Sequence, residues 1–163
     1  MSRKDPPELE PRVRRLSDGS FVVDLSENER SLLASLPAQL STILEDEADD
    51  PWLQRLFPTA YPKDADREEE WRLLMSVDLH DRRRAQLQVL ADTAGSASLS
   101  ADELLTWSQA LNDLRLYLGT RLDLIEETTE EDFEDEDDRD LYSLYGWLSF
   151  VQGEVVDALS EAL

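Results

Sequence analysis

Carboxylates are the chemistry this chain holds in quantity. Of its 163 residues 38 are Asp or Glu, cysteine is absent, and His80 is the only histidine. Without thiols there is no disulfide, no thiolate nucleophile, no Cys-ligated zinc and no thiol redox switch. One histidine does not furnish a His-based metal site within one chain. No G-x-S-x-G elbow accompanies it to suggest a Ser-His-Asp triad. What remains is general acid–base work by a carboxyl whose pKa burial has raised. Asp113 and Glu70, both set close to apolar residues, are the acids to nominate, and His80 is expected to be an ordinary surface or packing residue.

The acids are unevenly spread. Segment 126–140, EETTEEDFEDEDDRD, carries 11 of them against one arginine, within a formal net charge of −22 for the whole chain. Carboxylates are the right hard ligands for Ca²⁺, but an EF-hand loop needs a glycine at its sixth position and this segment has none. It is expected to be a solvated, mobile acidic loop. Mimicry of a nucleic-acid backbone toward a basic partner is the minority reading. The overall charge disfavours direct binding to nucleic acid or to an anionic membrane. Arg82, Arg83 and Arg84 fan around a helix rather than forming a phosphate stripe, and are expected to pair with the protein's own acids.

A second constellation mixes charge with small and polar residues. Asn112 and Arg115 are three apart, Asp113 and Arg121 eight apart, and Gly119 stands among them. On a helix each pair shares a face. Such a cluster is either a recognition patch for a partner or, the reading favoured here, an internal network that fixes helix register. Tyr142 and Trp147 lie in an aromatic-rich stretch. They are candidate interface anchors, since aromatic residues dominate binding hot spots, although a core needs them too.

The elements that must position these residues are legible from periodicity. PRVRRLSDGSFVVDL reads as a β-hairpin, with Val13 and Leu16 in one arm and Phe21 to Leu25 in the other. Asp18-Gly19 would supply the positive φ values of a tight primed turn. Ser26 and Glu29 form a capping box opening a helix over 26–46, with Leu32, Leu36, Leu40 and Ile43/Leu44 on its inner face. A short helix is expected at 51–57 behind Pro51, then a loop through Pro58 and Pro62. A helix over 65–92 carries Trp71, Leu74, Met75, Leu79, Leu87, Leu90 and Ala91. Ser100 and Glu103 cap another, whose stripe is Leu104, Trp107, Leu111, Leu114, Leu118, Leu122 and Ile125. Gly119, costing roughly 1 kcal/mol against alanine in a helix, suggests close packing or a bend. A last helix over 139–162 has Leu144, Leu148, Val151, Val155 and Leu159 inward, and Gly146 and Gly153 suggest close approach of a neighbouring helix.

Together these predict a mainly α protein. The fold is a bundle of about four to five helices with a small N-terminal hairpin, in one domain over 11–163 after a disordered stretch over 1–10. A hydrophobic content of 40% suffices for a core at this length. The opening MSRKDPPELE lacks the apolar h-region of a secretory signal, and no apolar run approaches ~20 residues. The expected location is cytoplasmic.

The stretch LNDLRLYLGTRLDL (111–124) and the distant LYSLYGWLSFVQGEVVDAL (141–159) go further. With RLSDGSFVVDLSENERSLLASLPAQL, DPWLQRLFPTAYP and REEEWRLLM in the same order, the chain resembles a small actinobacterial family long catalogued as a domain of unknown function. That family is typically encoded beside the Clp protease adaptor and a metallopeptidase. One branch is described as an actinomycete oxidative stress regulator acting on transcription through protein contacts. The resemblance implies a non-enzymatic regulatory protein whose partner is a transcription factor or a Clp-linked component. It implies no catalytic residues, metal or cofactor, and a homodimer through the last two helices stays open. Cysteine-based sensing proposed in that family has no residue to occupy here. The alternatives are a carboxylate-based, Mg-assisted hydrolase or lyase, and a direct DNA-binding regulator.

Overall fold

The computed structural model of the chain describes residues 10–46 and 61–163, without the side chains of 43–46 and 72–80. In order these are β1 (Val13–Arg15), β2 (Phe21–Val23), α1 (Glu27–Asp46), α2 (Ala65–Thr93), α3 (Ala101–Arg121), a 3-10 turn (Glu130–Asp132) and α4 (Glu136–Glu161). The protein is mainly helical with an N-terminal antiparallel hairpin, as its periodicity predicts. The disordered stretch expected over 1–10, apart from Glu10, and the short helix expected at 51–57 lie outside the described residues. So do the side chains of Leu74, Met75, Leu79 and His80.

β1 and β2 pair in the register Val13↔Val23, Arg14↔Val22, Arg15↔Phe21. Alternation sends Val13, Phe21, Val23 and Leu25 into the core. The turn differs from expectation. Leu16 N–H bonds Ser20 C=O at 2.7 Å and Gly19 N–H bonds Leu16 C=O at 3.0 Å. Gly19 has a φ of 89°, and Asp18 is not among the positive-φ residues. This is a three-residue loop, in which an ordinary turn is followed by one left-handed residue, so only the glycine must leave the usual φ range. Asp18 instead caps the loop, its Oδ1 accepting from Ser20 N–H at 2.9 Å.

A hairpin of this size needs support, and it has three props. Phe21 and Leu99 exchange backbone hydrogen bonds of 2.8 Å in both directions, which adds a one-residue third strand. Arg30 donates from Nη2 to Val23 C=O at 2.8 Å and from Nη1 to Ala94 C=O at 2.9 Å, and so joins β2, α1 and the end of α2. Arg12 N–H reaches Glu154 on α4 at 3.0 Å.

α1 begins at the expected capping box, Glu29 N–H to Ser26 Oγ at 3.2 Å and Ser26 N–H to Glu29 Oε1 at 3.0 Å. Its buried face is turned one position from the expected stripe. Leu33, Pro37 and Leu40 are buried and Leu36 half-buried, whereas Leu32 is exposed. The helix continues through Pro37, whose missing N–H leaves the carbonyl four residues earlier without its helical donor.

α2 packs between α1 and α3, and α3 packs chiefly against α4. α3 opens on the predicted capping box of Ser100 and Glu103. Its stripe Leu104, Trp107, Leu111, Leu114, Leu118 and Leu122 is buried as expected, with Trp107 Nε1 donating to Thr93 Oγ1 at 2.7 Å. Ile125 departs from it and is 67% exposed. The helix has already ended. Leu124 N–H bonds Gly119 C=O at 2.9 Å and Asp123 N–H bonds Thr120 C=O at 3.2 Å, while Asp123 stands at a φ of 51°. These two bonds around one left-handed residue make a Schellman stop.

α4 starts earlier than expected, at Glu136, with Asp135 as its cap accepting from Asp137 N–H. Part of the segment expected to be loop, 136–140, is therefore the first turn of a helix, where carboxylates complement the positive end of the helix dipole. Leu148, Val151, Val155 and Ala158 form its buried face, with Leu144 and Leu159 packed beside it. The approach expected at Gly146 and Gly153 is not there: a Cβ built at either meets nothing within 4 Å.

Candidate functional site

The nominated polar residues separate into three places. Asp113, on α3, is fully buried and its Oδ1 accepts from Arg83 Nη1 of α2. Its second oxygen is buried with no hydrogen-bond partner among the described residues. Burial pushes its pKa up to about 6, against the opposing pull of the Arg83 charge and hydrogen bond. Glu70, nominated beside it, is exposed; the buried acid of that turn is Glu68, whose Oε2 accepts from Tyr61 N–H. Asp113 thus has the raised pKa of a general acid, but its carboxylate is engaged by Arg83 in the α2–α3 interface. Arg121, eight residues on, is exposed at the last position of α3.

Trp147 belongs to a second cluster, centred on Glu29. That carboxylate accepts from Trp147 Nε1 at 2.7 Å and receives Arg12 Nη1 on both oxygens at 2.9 and 2.7 Å. Burial alone would raise its pKa. The Ser26 N–H, the Arg12 guanidinium and the Trp147 indole outweigh burial and hold it down at about 2. Arg12 also lies 5.7 Å from the centroid of the half-exposed Phe150 ring. The start of the hairpin, the cap of α1 and the middle of α4 are tied at one point.

Asn112, Arg115 and Gly119 come together in a third place, where α3 meets α4. They line a hollow of about 90 Å³ with Leu116, Leu124 and Tyr145. Arg115 is held by α4: Nε donates to Ser149 Oγ at 2.8 Å, Nη1 donates to Gln152 Oε1, and the guanidinium lies 5.4 Å from the centroid of the Tyr145 ring. Its two acceptors are themselves fixed, Ser149 Oγ donating to Tyr145 C=O at 2.8 Å and Gln152 Nε2 to Ser108 C=O at 3.3 Å. Gly119 is buried beneath Tyr145; a Cβ there would sit 3.5 Å from that ring, an ordinary contact.

Leu124 and Tyr145 are also walls of a larger hollow of about 380 Å³, with Ile125, Glu126, Thr128 and Tyr142. Tyr142 donates its hydroxyl to Thr128 C=O at 3.1 Å and its ring lies 5.2 Å from that of Phe133. Arg139 Nε bonds Phe133 C=O at 2.7 Å. The acidic segment is therefore laid against the start of α4 by an aromatic pair and two side-chain-to-backbone bonds. Among the described residues no group of three or more His, Asp or Glu could hold a metal ion.

Of the eight nominated residues, four thus border the two hollows, while Glu70, Asp113, Arg121 and Trp147 do not. Sequence reasoning missed Tyr145, Ser149 and Gln152. Their spacing of four and three was a usable signal, since it places a tyrosine and two hydrogen-bonding side chains on one face of α4. It also missed Glu29 beyond its capping role, because a partner 118 residues away leaves no local trace.

This arrangement can be set beside known proteins. A family model described as a domain of unknown function (DUF2017) matches residues 10–159. The chain belongs to that family. Comparison with curated proteins and with solved structures finds no match. The family match spans every element described, from the hairpin to the last turns of α4, so the family unit is this whole fold rather than one piece of it. No helix of the described residues is long and apolar enough to cross a membrane.

Proposed function

We propose that the protein is a non-enzymatic regulatory module that works by protein–protein contacts. The observation that carries this reading is the place of Asp113. The acid with the clearest capacity for proton chemistry faces Arg83 inside a helix–helix interface, and borders neither hollow. Its role on this reading is to set the register of α2 against α3. Outside, the surface offers what a docking face uses: half-exposed Phe150 beside Arg12, exposed Ile125, and the carboxylates of 126–140, the last of them on the first turns of α4.

From the resemblance to the actinobacterial regulators we take the partner to be a transcription factor or a Clp-linked component, and the setting to be the oxidative stress response in the cytoplasm. With no cysteine in the chain, the trigger acts on the partner or on the amount of this protein, not on a thiol of its own. Direct DNA contact and carboxylate-based hydrolysis are the readings this one displaces.

The test is co-purification from an extract of the source organism, followed by reconstitution with the purified partner. Wild type is compared with a chain whose acids Glu130, Glu131, Glu134 and Asp138 are changed to their amides. A defined protein that re-forms the complex with wild type, and binds the amide variant more weakly, is the expected result. Retention of nothing that re-forms with purified components, or hydrolysis of a substrate lost in Asp113→Asn, refutes the reading.

A further inference from the structure

We propose that the cleft between α3 and α4 is a binding site for a monocarboxylate with an apolar body, its carboxylate held by Arg115 and Asn112 and its body lying along Tyr145 and Leu124. The inference is independent of the docking reading above. It begins with a charge that the fold does not neutralise. Arg115 carries five N–H donors, and two are spent, on Ser149 and Gln152, both uncharged. Among the described residues no carboxylate lies within ion-pair distance of it. In a chain of net charge −22, a half-buried guanidinium anchored by neutral groups is held in place for something other than an internal ion pair.

The groups around it fit an anion. Asn112, one helical turn before Arg115, lines the same hollow, and its amide makes no hydrogen bond to another described residue. An amide donor beside a fork of free guanidinium N–H groups matches a planar carboxylate. The bonds from Ser149 to Tyr145 C=O and from Gln152 to Ser108 C=O fix Arg115 in advance, which lowers the ordering cost of binding. The hollow of about 90 Å³ takes the carboxylate end, and the one of about 380 Å³, sharing the Leu124 and Tyr145 walls, has room for a ring or short chain. Glu126 in the lining of the larger hollow, with the net charge of the chain, discriminates against a second negative charge on the ligand.

The test uses hydrocinnamate as probe, its neutral analogue hydrocinnamide, and inorganic phosphate, each titrated in the millimolar range into the full chain. Nitrogen-edited NMR spectra follow the Asn112 amide and Arg115 Nε. Hydrocinnamate is expected to move both signals saturably, with a Kd on the order of 1 mM, and the other two to leave them in place. Three variants read the site. Asn112→Leu gives up no internal hydrogen bond, Arg115→Lys keeps the charge without the fork, and Gly119→Ala puts a methyl between Tyr145 and Leu124 at ordinary contact distance. Each is expected to weaken hydrocinnamate by about tenfold or more. Gly119→Ala is the fold control, since alanine is the better helix former and its thermal midpoint should not drop. No saturable shift with hydrocinnamate overturns the proposal. So does an equal shift with hydrocinnamide or phosphate, or undiminished binding in a stable Gly119→Ala.

Discussion

Asp113 and Glu29 are both carboxylates held by an arginine, and their surroundings drive them in opposite directions. Around Asp113 one guanidinium bond does not offset the loss of water, and one oxygen is left without a donor among the described residues. Around Glu29 two oxygens receive Arg12, Trp147 and a backbone N–H. The sign of each pH effect follows. Asp113, with a pKa raised from 3.8 to about 6, favours the fold when protonated. That contribution is complete below pH 3.8 and is lost as pH rises through 6, a change of roughly 3 kcal/mol. Asp113→Asn should remove it. The urea midpoint of the variant relative to wild type is expected to climb between pH 4 and pH 7, and parallel profiles would count against this account. Glu29, lowered from 4.5 to about 2, contributes stability above pH 4.5 that disappears as pH falls through 2. Glu29→Gln is expected to cost about 2 kcal/mol at neutral pH, with the gap closing in acid. The indole N–H resonance of Trp147 reports the change in its bond to residue 29.

At the level of elements, capping boxes were readable and helix ends were not. Ser26/Glu29 and Ser100/Glu103 are contacts between residues three apart, so their chemistry is complete in the local sequence. α3 stops at a left-handed residue that is an aspartate rather than the usual glycine, so nothing in the sequence marks the end, and the stripe's periodicity runs on to Ile125, three residues past the last buried position. Asp123 at a φ of 51° bears the strain that a glycine at this place avoids. Asp123→Gly is expected to raise stability by about 1 kcal/mol, measured by chemical denaturation. A loss instead would mean that the carboxylate has a partner worth more than the relief of the backbone. α1 shows a different limit. Leu32, Leu33 and Leu36 are all apolar, and periodicity alone allows either of two adjacent faces; packing of the bundle buries Leu33 and Pro37.

For the whole molecule, the dominant quantity is a net charge of −22, much of it along one edge from Glu126 to Asp140. Self-repulsion of that size opposes the compact state and is screened by salt. Raising sodium chloride from about 0.01 to about 0.15 M shortens the screening length from roughly 30 to roughly 8 Å, and the thermal midpoint is expected to rise with it. A flat or falling midpoint would show that local ion pairs such as Arg12–Glu29 outweigh the general repulsion. On the proposed docking reading the same edge would face a basic protein surface, and at the proposed cleft site Glu126 would disfavour a dianion.

The amino-acid sequence by itself determined the helical class, the hairpin, both capping boxes and the buried stripe of α3, because each depends on spacing of a few residues along one chain direction. It also determined the absence of thiol chemistry, which is a matter of composition. Only the tertiary structure decided which of the nominated polar residues share a place. Asp113 turned to Arg83 thirty residues away and Trp147 to Glu29, while Asn112 and Arg115 met Tyr145 at a cleft. The reason is geometric: a helical spacing fixes which side a residue faces, but the element waiting on that side is chosen by the packing of the whole chain.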